Sequence, residues 1–174
     1  MTYQIDNQHT TVQFKVRHLM IAYVRGVFAK FSGTVDFDPA NPGASKVDVT
    51  VDATSLATPE AARNQHLQGA DFFNTAAHPT IDFHSKSVSP AGAGAYAVKG
   101  DFTLLGVTKE ITLNVSGMTE ETPDPWGNLR RGCEAHARIK RSDFGMAFNA
   151  MVNDAPMVSD EVDLDLDIEM LRKP

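Results

Sequence analysis

Apolar and polar positions alternate with a period of two through most of this chain, the pattern of strands that bury one face and wet the other. The last segment is the cleanest: Val162, Leu164, Leu166, Ile168 and Met170 share one face, and Asp163, Asp165, Asp167 and Glu169 share the other. The same reading places strands around Val12-Phe14-Val16, Phe31-Gly33-Val35-Phe37, Val47-Val49-Val51 and Ile81-Phe83-Ser85. Tyr96-Val98-Gly100-Phe102-Leu104, Ile111-Leu113-Val115 and Ala135-Ala137-Ile139 bring the total to about eight. Turn sequences separate them, at Asp38 to Gly43, Ser89 to Gly94, Leu105-Gly106 and Pro123 to Asn128.

One stretch departs from this period. Thr58-Pro59-Glu60 reads as a helix start, with Thr58 as cap, Pro59 in the first helical position and an acid in the first turn. Ala61 to Leu67 favours helix, with Gly69 as its stop. Arg141 to Ala150 is a candidate for a second, shorter helical turn. No strand reads as buried on both faces, and closure removes exposed sheet edges. The expected fold is therefore all-β: an eight-stranded antiparallel barrel with one or two short helices, the first flanking one mouth. No repeat or long linker divides residues 1–174, which are expected to form one domain.

Composition narrows the function classes. Hydrophobic residues make up 42% and charged residues 22%, ordinary globular values that argue against disorder. The formal net charge of -6 repels phosphate backbones and anionic surfaces, so no nucleic-acid partner is expected. The longest apolar run, Leu19 to Val24, is far too short for a membrane span, so no stable insertion is expected. Met1 to Asp6 carries neither a basic nor an apolar leader segment. A cytoplasmic protein is the expectation for the chain as it stands, and a periplasmic or secreted one where an export signal has been removed. Cys133 is the single cysteine, so no internal disulfide forms, and a small core or interface residue is the expected role.

Candidate catalytic chemistry is thin. None of the six histidines forms a zinc-type pair, and no metal or cofactor is expected. His84 and His136 fall on polar strand faces, whereas His18 ends a strand and His66 lies on the helix, closer to a barrel mouth. Asp143-Phe144-Gly145 matches a kinase signature without the phosphate loop that would give it meaning, and no Gly-x-Ser-x-Gly elbow is present. Asn114-Val115-Ser116 is a glycosylation sequon inside a strand. The acids at 163, 165 and 167 read as a solubilising outer wall rather than a calcium site. Of ten phenylalanines, five (Phe14, Phe31, Phe37, Phe83 and Phe102) fall on inward faces. They fit a filled core or a lined cavity equally. Gly33, Ala53, Gly100, Ala135 and Ala137 on those faces are expected to leave axial room for an elongated ligand.

These residues resemble the YceI-like family, the lipocalin-like isoprenoid-binding proteins of bacteria. The resemblance is carried by Val12 to His18, Gly26-Val27-Phe28, Phe31-Ser32-Gly33, Arg63 to Leu67 and Asp71-Phe72-Phe73. It continues through His78-Pro79, Phe83-His84-Ser85, Gly100 to Lys109, Trp126-Gly127, Lys140 to Gly145 and Val158 to Val162. The resemblance implies an extended barrel whose pore takes a long apolar chain such as a polyprenyl, quinone or fatty-acid derivative. It implies no established catalytic activity, and it leaves a homodimer open. The chain departs from the family at Thr10, where serine is usual, and at Asn64, where an aspartate follows the arginine; the latter is expected to weaken a charge pair with Arg63.

On this reading Phe14, Val16, Phe31, Phe37, Phe83, Phe102 and Leu104 line the tube, Phe72 and Phe73 close one end, and His18, Arg63 and His66 meet a polar head at the mouth. The function expected is non-catalytic binding, transport or sequestration of an apolar ligand. Two alternatives stand beside it: an enzyme acting on a prenyl or acyl substrate with His18 or His66 as general base, and a solid-cored interaction or stress protein.

Overall fold

Residues 1–174 are described by a computed structural model. The strongly alternating C-terminal segment becomes the longest strand, β14 (Val158–Arg172). Before it come β1 (Thr2–Ile5), β2 (Thr11–His18), β3 (Ala22–Phe28), β4 (Phe31–Asp36), β5 (Lys46–Asp52), β6 (Leu56–Ala57) and helix α1 (Ala61–Gln68). After α1 follow β7 (Thr80–Gly92), β8 (Ala95–Leu104), β9 (Val107–Ser116), β10 (Thr122–Pro123), β11 (Leu129–Lys140), β12 (Met151–Val152) and β13 (Ala155–Pro156). A 3-10 turn at Arg141–Phe144 is the short helical element expected after β11.

Eight strands close into an antiparallel ring in the order β11-β9-β8-β7-β5-β4-β1-β14, with β14 returning to β11. That last pairing runs without a break from Leu129–Arg172 to Lys140–Glu161. The number expected from the alternation is right, but the membership differs. The segment around Val12 is not one of the eight, because β14 pairs with β1 only at Met170 and Leu171 and with β2 from Val158 to Asp167. Two short strands thus share one edge of β14 end to end, and the second leads into the β2–β3 hairpin. Thr10 bridges the handover, its hydroxyl donating to the Glu169 carbonyl and accepting from the Glu169 N–H, each at 3.0 Å. The departure from serine therefore keeps the hydroxyl that does this work.

Helix α1 begins later than expected. Glu60 is its N-cap, without a side-chain cap bond, and Pro59 lies outside the helix. The Thr58 hydroxyl and N–H instead both donate to Asn64 Oδ1, at 2.6 and 2.8 Å, and Thr58 Oγ1 accepts from Arg63 Nε at 3.0 Å. An amide at position 64 thus folds the approaching chain against the helix, with no charge pair to Arg63.

The far end of the barrel from α1 is plugged. Tyr3 and Met170 are fully buried there with Phe37, which meets Tyr96 edge-on at 5.4 Å. Buried Arg131 stacks over Phe37 at 5.6 Å and donates to Tyr3 Oη, and Tyr3 donates in turn to Glu121. Arg172 grips the same carboxylate through two bonds of 2.8 Å. Close by, Arg130 joins Asp6, Asp124 and Glu169 at 2.6, 2.7 and 2.5 Å.

Burial alone would push the Asp6 carboxyl up, but bonds from Arg130, His9 and the Gln8 N–H together hold it at about 2. Asp124 is held lower still, its burial outweighed by bonds from Asn128, Arg130 and Trp126. Carboxyls depressed in the folded state stabilise it above their unfolded values near 4, and that contribution fades as pH falls toward about 2. Acid unfolding followed by circular dichroism should therefore steepen between about pH 4 and pH 2. In an Asp6→Asn variant the slope over that interval should be shallower and the stability at pH 7 lower.

Candidate functional site

The inner faces of the ring do not meet in the middle. Val162, Leu164 and Leu166 of β14, Val12 and Val16 of β2 and Ile111 and Leu113 of β9 are each only half-buried, because they border an internal void. Its volume is about 360 Å³, and 24 of its 30 lining residues are hydrophobic, which makes it a pocket for a greasy molecule rather than for water. Strand pairing around the ring holds the wall in place, although β9 meets β11 only at Asn114–Ser116 and β3 meets β6 only at Val27 and Phe28.

Ten of the twelve candidate side chains border this void: Phe14, Val16, His18, Arg63, His66, Phe72, Phe73, Phe83, Phe102 and Leu104. Phe31 and Phe37 do not. Phe31 opens β4 and packs into the core cluster with Phe28, Val51, Ala53 and Leu56. Phe37 lies past the end of β4, in the plug with Tyr3 and Met170, so the tube expected to run the length of the barrel is blind at that end.

The small residues expected to make axial room do not border the void either; neighbours use the space they leave. A Cβ on Gly100 would sit 2.7 Å from the ring of Phe83, and one on Gly33 would sit 2.7 Å from Ile5 Cδ1. Ala53, Ala135 and Ala137 are 1–3% exposed and packed. The glycine that matters is Gly26 of β3, opposite Phe14 in the ladder, where a Cβ would meet Phe14 Cζ at 2.3 Å. Phe14 lies flat across β3 because nothing projects there.

Aromatic rings frame the end nearest α1. Phe14, Phe28 and Phe73 form a trio with centroids 5.6–5.7 Å apart. His66, Phe72 and Phe148 form another at 5.0–5.3 Å. Helix α1 contributes Arg63, His66 and Leu67 to the lining, so it flanks the mouth as expected.

The polar lining is Gln13, Arg17, His18, Arg63, His66 and Arg141, with no carboxylate, hydroxyl or thiol among them. Arg63 bonds the protein only through Nε, leaving both terminal nitrogens free, and His18 makes no side-chain bond. His66 Nε2 lies 2.8 Å from Asp71 Oδ2, a carboxylate outside the lining. Arg141, at 4% exposure, donates to the carbonyls of Met146, Phe148, Val158 and Ser159. It thereby ties the segment after the 3-10 turn to the start of β14. Burial lowers its pKa, and nearby Asp160 partly opposes this.

Arg141, Arg17 and Phe148 carry no periodic signal that would mark them as lining. Arg141 and Phe148 reach it because the segment after β11 folds back over the rim, whereas Arg17 reaches it from the end of β2. The apolar face of β14 was legible, and its proximity to the ligand space comes from closure.

Elsewhere the titratable groups are structural. His84 and His136 are exposed and pair with Asp48 and Asp165. Asp163 is buried beneath Arg138, at 2.8 Å, and is the exception to an otherwise solvated acidic face. Asp6, His9 and Glu169 bring three possible ligand atoms within 4.8 Å, but Arg130 already neutralises both carboxylates. Burial, with Asp167 and Glu134 adding to it, pushes the Cys133 thiol up to about 11, so it is not a nucleophile at neutral pH.

A YceI-like domain model matches residues 3–170. Over 169 residues the chain is 42% identical to Protein YceI of Escherichia coli O157:H7, covering 96% of this chain and 85% of that protein. It is 40% identical over 173 residues to a UPF0312 protein of Ectopseudomonas mendocina, covering 98% and 87%. Among solved structures, Burkholderia cenocepacia BcnA superposes with a TM-score of 0.84 at 25% identity, over 95% of this chain and 98% of that one. The Campylobacter jejuni YCEI protein gives 0.78 at 30% identity, over 91% and 90%. A polyisoprenoid binding domain from Saccharophagus degradans shares the fold, with a TM-score of 0.71 at 16% identity over 99% and 98%. Closed barrel, single helix and near-complete match agree: the chain belongs to the YceI-like family.

Proposed function

We propose that this protein binds and carries a long-chain apolar molecule, a polyisoprenoid, quinone or fatty-acid derivative, and performs no chemistry on it. The observation that carries this reading is the lining: apolar in 24 of 30 positions, with cationic or neutral polar groups at the mouth and no carboxylate. The polyisoprenoid-binding neighbour of the same fold supports the ligand class.

At the roughly 30 Å³ that a water molecule occupies in the liquid, and about the same for a methylene, the void takes on the order of a dozen carbons. Burying about ten methylenes contributes roughly 8 kcal/mol before ordering costs, enough for micromolar binding. A longer chain leaves its remainder outside. A head group with acceptor oxygens, phosphate, carboxylate or quinone carbonyl, fits the free donors of Arg63 and His18. An enzyme would need a nucleophile or a carboxylate beside the substrate, and the lining supplies neither.

Gentle purification, organic extraction and mass spectrometry should yield a stoichiometric, unaltered lipid. Steady turnover of a prenyl or acyl ester, lost in His66→Ala, would overturn the carrier reading. Adding a matching lipid at about a hundred times its Kd should stabilise the fold by about 2.7 kcal/mol, read as a raised Tm. Phe102→Asp, which buries a charge in the lining, should abolish retention. Gly26→Ala should push the Phe14 ring into the void and weaken binding at least several-fold, with a smaller effect on folding. Arg63→Gln should weaken farnesyl phosphate about tenfold and leave farnesol nearly unchanged, measured by titration calorimetry.

A further inference from the structure

Seven large hydrophobic residues are exposed, and five of them, Met20, Ile21, Tyr23, Met151 and Val152, lie on two hairpins. These are the β2–β3 and β12–β13 hairpins, and they leave the barrel at one point: the Leu19 N–H donates to the Met157 carbonyl at 2.8 Å. That point is the rim of the void, since His18, Met157 and Val158 all border it. Both tips are tight turns through left-handed backbone, at Leu19 and Met20 (φ 51° and 57°) and at Asn153 and Asp154 (φ 49° and 63°). They hold Ile21 at 77% and Met151 at 65% exposure, with no core for either side chain to enter.

The flank of the first finger is cationic. Arg17, Lys15 and Arg25 lie 4.5, 5.1 and 5.8 Å from the centre of the Tyr23 ring. Lys15 also reaches Asp165 at 3.6 Å, but neither Arg17 nor Arg25 has a carboxylate within ion-pair distance. The first tip is apolar, and the second carries Met151 and Val152 beside its polar Asn153-Asp154 turn. With an aromatic ring behind and unpaired guanidiniums behind that, the first finger follows the order of layers across a bilayer surface: acyl chains, interface, anionic head groups. Such a surface is where a carrier of apolar chains must load or unload. A protein partner would leave the association of this patch with the mouth unexplained.

We infer that the two hairpin tips dock the protein on an anionic lipid surface, mouth inward, by shallow insertion of Met20, Ile21, Met151 and Val152. The inference rests on the carrier reading for its purpose but not for its test. At a net charge of -6 the rest of the molecule is repelled, so attachment is peripheral and reversible and orients this face toward the lipid.

The test is flotation with vesicles of roughly 7:3 phosphatidylcholine to phosphatidylglycerol. It is run beside titration of the void with the neutral apolar dye N-phenyl-1-naphthylamine. The expected result is that the wild-type protein floats, and that Ile21→Asp/Met151→Asp lowers vesicle partitioning by about tenfold or more. The same double variant should bind the dye within about twofold of wild type and melt normally, since neither side chain borders the void. Arg25→Gln should weaken attachment to the mixed vesicles and leave attachment to pure phosphatidylcholine unchanged. Wild-type protein that binds dye but never floats overturns the docking surface and leaves the carrier reading standing. A double variant that floats like wild type also overturns it. So does a wild-type dimer that fails to float and is split by the double variant, since the tips would then join two copies. Flotation without uptake of dye or any prenyl or acyl lipid would keep the docking surface and remove the carrier reading.

Discussion

The unbroken pairing of β14 with β11 is the constraint on which the rest depends. It closes the ring, so the wall is held by strand pairing around the barrel and its centre need not be filled to keep the strands in place. An open sheet with the same apolar face would curl or stack until that face was covered. Closure leaves Val162, Leu164 and Leu166 facing a void of about 360 Å³ instead. The plug of Tyr3, Phe37, Met170 and Arg131 and the ion pairs around Arg130 seal one end, so a ligand has one way in.

Against that frame the division of labour among the aromatic side chains is physical rather than compositional. A ring whose whole surface finds partners becomes structure, as Phe37 does against Tyr96 and Arg131, whereas Phe83 packs across Gly100 and still borders the void. Rings near α1, Phe14, Phe72, Phe73 and Phe148, pack edge-on in trios and present their remaining surface to the void. The mouth carries donors whose bonds the protein does not fully use, notably Arg63, while the buried guanidinium of Arg141 uses its own to fasten the covering segment. A greasy wall and an under-bonded cationic rim suit a molecule with a long apolar tail and an acceptor at one end.

Departures from the family pattern are absorbed locally. Thr10 keeps a hydroxyl where β14 passes from β1 to β2, and Asn64 takes two bonds from Thr58 in place of a charge pair with Arg63. Neither alters the barrel.

Read alone, the amino-acid order determined the strands with strong alternation, the outward acids, the helix after Thr58 and the family. Each of these depends on neighbours within a few residues, and period-two patterning is a local signal. It missed β1, only four residues long, and β3, whose inward face is interrupted by Gly26. It also placed Phe31 and Phe37 in the lining because alternation reports which face a side chain takes, not how far along the axis it sits. Only the tertiary structure decided that the axis is blocked at one end, that glycines are filled by neighbouring rings, and that Arg17, Arg141 and Phe148 reach the rim. Those outcomes depend on register between strands far apart in the chain and on a loop folding back over the mouth, and no local pattern encodes either.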